Sequence, residues 1–278
     1  MTAPTLSLEE FCTQLPKVEL HAHINGSLSP LTMRQLVERK KDTKPELSEF
    51  AIPDSLNTID DFFPLFRFIY QLTDDEESVK IATKNIIDEF AKDGVRYLEL
   101  RTTPRKNEET GMSKSSYLDA VLSVIEQPRQ DITTRLIVSI DRRNTLDEAQ
   151  EVVDLALNYR SRGVVGIDLC GDVKVGLFEN LRPAFERAKS NKFPLTLHFN
   201  EVEENLAEAP TLLSIRPNRL GHATFLDDFC RKTIYENEIP IELCMTSNIL
   251  CKTAASVEEH HIKELLRDQH PFVLCVEY

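Results

Sequence analysis

The feature of this sequence that most constrains its fold is a recurrence of eight short β-branched or apolar runs, at 17–23, 95–103, 134–141, 164–170, 194–200, 219–224, 240–246 and 271–276. Short, nearly continuous apolar runs are the signature of strands buried on both faces, which is the condition of parallel strands in βα units. The segments between them, at 78–92, 115–126, 146–160, 178–190, 207–215, 228–237 and 256–268, are helix-like. In the first, Val79, Ile81, Ile86 and Phe90 fall toward one side, and Asp93-Gly94 supplies a stop. Eight strands with interleaved helices are the arithmetic of a (β/α)8 barrel, although a doubly wound open sheet uses the same units. Two features favour the barrel: no glycine-rich phosphate loop follows the first run, and polar or ionisable residues stand at the C-terminal end of nearly every run. No linker, low-complexity tract or short-period repeat divides the chain, so residues 1–278 read as a single domain.

Composition narrows the function. Lys and Arg total 33 against 46 Asp and Glu, a net charge of −13, which argues against a general affinity for nucleic-acid backbone or anionic lipid. A bound phosphate must then meet a local basic pocket. No run of 18 apolar residues and no basic-then-apolar amino terminus is present, so neither a membrane span nor a signal peptide is readable, and a cytoplasmic protein is expected. Cysteines at 12, 170, 230, 244, 251 and 275 form no C-x-x-C pair, which points to buried reduced thiols rather than a disulfide scaffold or zinc ribbon.

The chemistry gathers at strand ends. The first run closes with His21-Ala22-His23, and because strand side chains alternate, the two imidazoles point the same way and can share one metal; two exposed histidines near a turn are the alternative. The fifth run ends His198-Phe199-Asn200-Glu201, able to supply a third nitrogen ligand and a general acid/base, or else a core histidine and a surface glutamate. The sixth run supplies Gly221-His222, whose imidazole can orient or polarise the same water. Four of the seven histidines therefore sit at predicted strand ends, while His260, His261 and His270 fall on or after a helix. Arg105, with Arg101 and Lys106 nearby, can neutralise a 5′-phosphate or can be an ordinary solvated charge run.

The segments LPKVELHAHINGSL, DGVRYLELRTTPR, GIDLCGD, LHFNE, RLGHATFL and IELCMTSN, in that order, resemble the adenosine deaminase superfamily, most closely its adenosine deaminase-like branch, the N6-methyl-AMP deaminases. The resemblance runs from about residue 10 to residue 275 and implies a zinc-dependent (β/α)8 TIM-type barrel. It implies one zinc per chain held by His21, His23 and His198, with Glu201 protonating the purine ring and His222 helping to activate the zinc-held water. It further implies that His23, Asn25, Tyr70, Thr102, Thr103, Pro104, Arg105, Asp141 and Gly171 contact the nucleotide. A glycine at 171 lets backbone approach a flat base, or simply ends a strand. The expected reaction is hydrolytic displacement at carbon 6, N6-methyl-AMP giving IMP and methylamine. The unrelated zinc deaminases marked by P-C-x-x-C are excluded by the absence of that motif.

Strand eight departs from the family. Relatives continue the equivalent of 271–275 with Thr-Asp-Asp and further helices, whereas here Val276-Glu277-Tyr278 follows, which places Glu277 at the zinc-ligand position. A C-terminally truncated barrel lacking the family's final helices is the expectation. Tyr70 stands where relatives carry a histidine near the substrate. Two further readings follow: a catalytically impaired product that binds nucleotide without turnover, and a deaminase of free adenosine. The expected partner is a small-molecule purine nucleotide, with no nucleic acid and no membrane, on a monomer.

Overall fold

The computed structural model describes residues 6–52 and 59–276. Along the chain run α1 (Leu8–Gln14), β1 (Lys17–His23), α2 (Pro30–Lys40), α3 (Ile59–Leu72), α4 (Glu76–Lys92), β2 (Val95–Thr102), α5 (Lys114–Ile125), β3 (Thr133–Asp141), α6 (Leu146–Tyr159), β4 (Val164–Cys170), α7 (Phe178–Ser190), β5 (Leu195–Phe199), α8 (Ala209–Ser214), β6 (Arg219–His222), α9 (Asp228–Glu236), β7 (Ile241–Cys244), α10 (Met245–Leu250), α11 (Ile262–Arg267) and β8 (Phe272–Cys275). The strands pair in parallel in the order β1 to β8, and β8 returns against β1, which nearly closes a (β/α)8 barrel of the TIM type. At that seam the Val276 N–H donates to Glu19 Oε2 (2.7 Å) and the His21 N–H to Glu19 Oε1 (2.6 Å), so one carboxylate clasps the last strand to the first.

Local chemistry sets the helix ends. Asp75 accepts from the Ser78 N–H at the start of α4, and reciprocal capping boxes, Ser113 with Ser116 and Thr145 with Glu148, open α5 and α6. Outward strand residues pack with helix residues such as Ile86, Leu118, Val152 and Phe185 into one continuous core. The lumen is different: Arg101, Ser139, Asp168, Thr196, His198 and Glu242 are all buried and polar. Register places Ser139 beside Asp168 and Asp168 beside Thr196, while His198 pairs with Gly221 and Gly221 with Glu242. Polar side chains thus form level rows inside the barrel.

Every predicted run contains a strand, but several ends move, the run 219–224 stopping as strand at His222 among them. The run 240–246 stops as strand at Cys244, because α10 begins at Met245. The predicted helix 256–268 contracts to Ile262–Arg267, since the chain before it folds back and the N–H groups of Thr253 and Ala254 bond to the Asn248 carbonyl. The expectation of buried thiols fails at Cys12, which is exposed, and in part at Cys251, which is half-buried, while Cys170, Cys230, Cys244 and Cys275 are buried. Among the described residues no helix is long and apolar enough to cross a membrane.

Candidate metal centre and active site

Three imidazoles converge at the C-terminal mouth of the barrel. His198 Nε2 lies 3.2 Å from His21 Nε2 and 3.0 Å from His23 Nε2. Ligating nitrogens about 2.0–2.1 Å from a shared tetrahedral ion stand roughly 3.3 Å apart, so these separations suit a single small cation. The far side of two of the rings fixes the proton: His21 Nδ1 meets Glu242 Oε2 at 2.6 Å and His198 Nδ1 meets Asp168 Oδ1 at 3.0 Å. Carboxylates only accept, so the network assigns Nδ1–H to both rings and turns their Nε2 lone pairs toward each other. Lone pairs at such contact repel unless a cation lies between them. The donor set therefore fits a divalent metal, with carboxylate–histidine pairs of the kind that orient metal ligands.

Those carboxylates belong to a sealed charge cluster. Arg101, Asp168 and Glu242 have fully buried side chains. Arg101 Nη2 donates to Glu242 Oε2 (2.7 Å) and Nη1 approaches Asp168 Oδ1 (3.4 Å), while Arg219 Nε meets Glu242 Oε1 at 2.8 Å. Burial alone would raise the Asp168 carboxyl, but His198 and Arg101 hold it well below the usual carboxylate range. Glu242 behaves likewise, burial being outweighed by Arg101, His21 and Arg219. Arg101 is consequently no part of a phosphate pocket, which corrects its sequence-based grouping with Arg105: a buried guanidinium is committed to its anions. Lys106, the other member of that group, is exposed and pairs with Glu108 at 3.3 Å.

Beside the imidazoles, His222 Nε2 lies 3.8 Å from Glu201 Oε2, and the His222 ring centroid is 5.0 Å from that of His21 and 5.3 Å from that of His198. The backbone here is left-handed at Asn200 (φ 46), His222 (φ 61) and Ala223 (φ 48), conformations that non-glycine residues adopt at a cost of about 1–3 kcal/mol each. Asn200 is anchored by its Nδ2, which donates to the Phe225 carbonyl at 2.9 Å, and that anchor presents Glu201. Gly221 has a steric role: a Cβ there would stand 2.6 Å from His21 Cε1.

The other side of the mouth is built from α3 and the ends of β2, β3 and β4. Arg105 lies over the Tyr70 ring, 4.4 Å from its centroid, and its Nη2 donates to the carbonyl (3.0 Å) and hydroxyl (2.8 Å) of Thr73. Its buried Nε–H finds no acceptor among the described residues. Burial pushes the Tyr70 hydroxyl up, against the opposing pull of Arg105. Asp141 is gripped by Arg143 through Nε–Oδ1 (2.8 Å) and Nη2–Oδ2 (2.6 Å), and a Cβ on Gly171 (φ +105) would strike Asp141 Oδ1 at 2.6 Å. Thr103 Oγ1 lies 3.4 Å from Cys170 Sγ, and Asn25 Oδ1 accepts from Thr73 Oγ1 at 3.5 Å. Thr102, by contrast, is engaged with Tyr117 of α5 at 2.6 Å, and Pro104 is buried between Thr103 and Arg105. Glu277 lies outside the described residues.

Sequence reasoning missed Asp168, Glu242, Arg143 and the steric role of Gly221. A signal was present for the first two, since an acid inside an apolar run such as Ile241-Glu242-Leu243 demands a buried partner.

Comparison with known proteins agrees with this arrangement. A family model described as adenosine deaminase matches residues 16–276. An N6-methyl-AMP deaminase of Danio rerio is 44% identical over 281 residues, covering 96% of this chain and 80% of that protein. The Homo sapiens protein of the same description is 38% identical over 286 residues, covering 96% and 79%. Among solved structures, the crystal structure of an Arabidopsis ADAL complexed with IMP is 38% identical, with a TM-score of 0.88, over 96% of this chain and 82% of that one.

Proposed function

The chain belongs to the adenosine deaminase family, and on that premise we propose that it hydrolyses a 6-substituted purine nucleotide, N6-methyl-AMP, to IMP and methylamine with one zinc ion per chain. The observation that carries this reading is the meeting of the His21, His23 and His198 imidazoles beside the Glu201–His222 pair. His21, His23 and His198 would hold the zinc, which would supply Lewis-acid activation of water for attack at carbon 6. Glu201 gives a proton to a ring nitrogen of the purine, which makes carbon 6 electrophilic, and His222 orients the attacking water and receives its proton. His222 passes that proton to the departing nitrogen, which leaves as methylamine, and the carbon-6 hydroxyl returns a proton to Glu201 as the ring keeps the oxygen.

Binding falls to the opposite wall. The unaccompanied Nε–H of Arg105 is the donor this reading gives to the 5′-phosphate, with Thr103 and Asn25 near it and Tyr70 as its aromatic backing. Gly171 leaves room for the flat purine beside Asp141. Relatives described as N6-methyl-AMP deaminases and an ADAL complexed with IMP support the choice of nucleotide.

The test is incubation of the full chain with zinc and N6-methyl-AMP, with mass detection of products. IMP and methylamine are expected, and Glu201→Gln removes them. A folded, zinc-loaded chain that releases inosine from adenosine but no IMP would replace this substrate; one that binds N6-methyl-AMP and converts nothing would make the site a binding site.

A further inference from the structure

We infer that Arg101 is a positioning residue for the metal seat: its one guanidinium braces the two carboxylates that aim His21 and His198. The inference rests on reading His21, His23 and His198 as that seat, but not on which nucleotide is the substrate.

The geometry is specific. Glu242 Oε2 serves both the Arg101 Nη2 (2.7 Å) and the His21 Nδ1 (2.6 Å). Asp168 Oδ1 likewise faces both Arg101 Nη1 (3.4 Å) and His198 Nδ1 (3.0 Å). In each carboxylate, the oxygen that directs an imidazole is the one the guanidinium approaches. Arg101 Nη2 also donates to the Leu20 carbonyl (2.5 Å), which fixes the backbone that presents His21. The remaining carboxylate oxygens are held separately, Asp168 Oδ2 by Ser139 Oγ (3.0 Å) and Glu242 Oε1 by Arg219 Nε (2.8 Å). None of the three charged side chains meets solvent. Ligands from β1 and β5 are thereby locked to one planar fork on β2, and a fork spans two acceptors where an ammonium offers a single point.

The test is Arg101→Lys, which keeps the buried charge and loses the fork, with Arg101→Gln as the second variant. Circular dichroism of the metal-free chains establishes folding, and Co2+ titration against a chelator, followed by visible absorption, gives metal affinity. A loss of about 10–100-fold in Co2+ affinity is expected, the range found when partners behind a metal ligand are removed. At saturating metal, kcat falls while the nucleotide KM stays near wild type, because Arg101 does not reach the mouth. Unchanged Co2+ affinity in either folded variant overturns the inference, as does failure of both to fold, which would make Arg101 a residue of folding alone. A wild-type chain that takes up no Co2+ overturns the metal seat itself, and this inference with it.

Discussion

The two sides of the barrel mouth are built on opposite principles. In the barrel lumen, the His21 and His198 imidazoles are backed by the Glu242 and Asp168 carboxylates and these by the Arg101 guanidinium, with Arg101, Asp168 and Glu242 closed to solvent. At α3 and in the loops that follow β2 and β3, the cationic groups are more open: Arg143 is 61% exposed along its side chain, and Arg105 still has a donor to offer. A buried network of charge-assisted hydrogen bonds holds atoms to a fraction of an ångström, which bond-making chemistry requires. An open wall with unspent donors can close on a ligand. On the proposed function the difference would separate turnover from recognition, and variants on the two sides should divide between kcat and KM.

The sharpest way to break that division is Glu201→Gln, which removes a proton donor without changing shape. We expect kcat for N6-methyl-AMP to fall by about 10²–10⁴-fold, the range for a positioned acid or base, with KM and zinc content nearly unchanged. Steady-state kinetics with metal analysis checks this; a rise in KM as large as the fall in kcat would place Glu201 on the binding side. Gly221→Ala comes next. Its new methyl would meet His21 Cε1 at 2.6 Å, so the imidazole must move. A displacement near 1 Å costs on the order of 10²-fold in rate, and the substituted chain should also hold zinc more weakly. Wild-type activity and zinc content in Gly221→Ala would show that the floor yields where the comparison says it is rigid.

How much of this was legible follows the same line. The barrel could be read because parallel strands buried on both faces leave unbroken apolar runs, and the meeting of the strand-end imidazoles because His21 and His23 alternate onto one side of a strand end. What packs behind them could not. Arg101 in the Leu100-Arg101-Thr102 stretch looks like the outer neighbour of Arg105, and only the inward direction of its side chain, set by pairing with β1 and β3, reveals a buried brace. Glu242 and His21 are 221 residues apart, and their 2.6 Å contact exists only once β7 and β1 share a lumen. The end of β7 at Cys244 was hidden for a different reason: Met245 and Thr246 extend the apolar run, while the contacts that turn them into α10 come from elsewhere.

On the wall, Arg105→Ala sharpens the comparison from the other direction. We expect KM for N6-methyl-AMP to rise about tenfold or more, about 1.4 kcal/mol of lost binding, with kcat changed little. Adenosine, which lacks the phosphate, serves as the internal control, and its KM should move less. An equal rise for nucleotide and nucleoside would show that Arg105 supports the wall through Thr73 and Tyr70 rather than reading a phosphate.

The smallest effect concerns what anchors the wall. Thr73, which accepts from Arg105, leads directly into Asp74 and Asp75, where Lys40 reaches both carboxylates and Lys44 reaches Asp74. Burial acts to raise Asp75, but Lys40 and the Ser78 N–H outweigh it and bring its pKa down to about 2 from 3.8. A carboxyl with a depressed native pKa stabilises the fold fully above its unfolded value, and that contribution drains away as pH falls from about 4 toward 2. Asp75→Asn should therefore lower the unfolding midpoint at neutral pH and flatten its decline over that acid range, without altering zinc affinity. Thermal unfolding measured in steps from pH 6 to pH 2 checks both halves. An acid profile identical to wild type would mean that the wall draws its stability from packing, and that its openness to solvent carries no electrostatic cost.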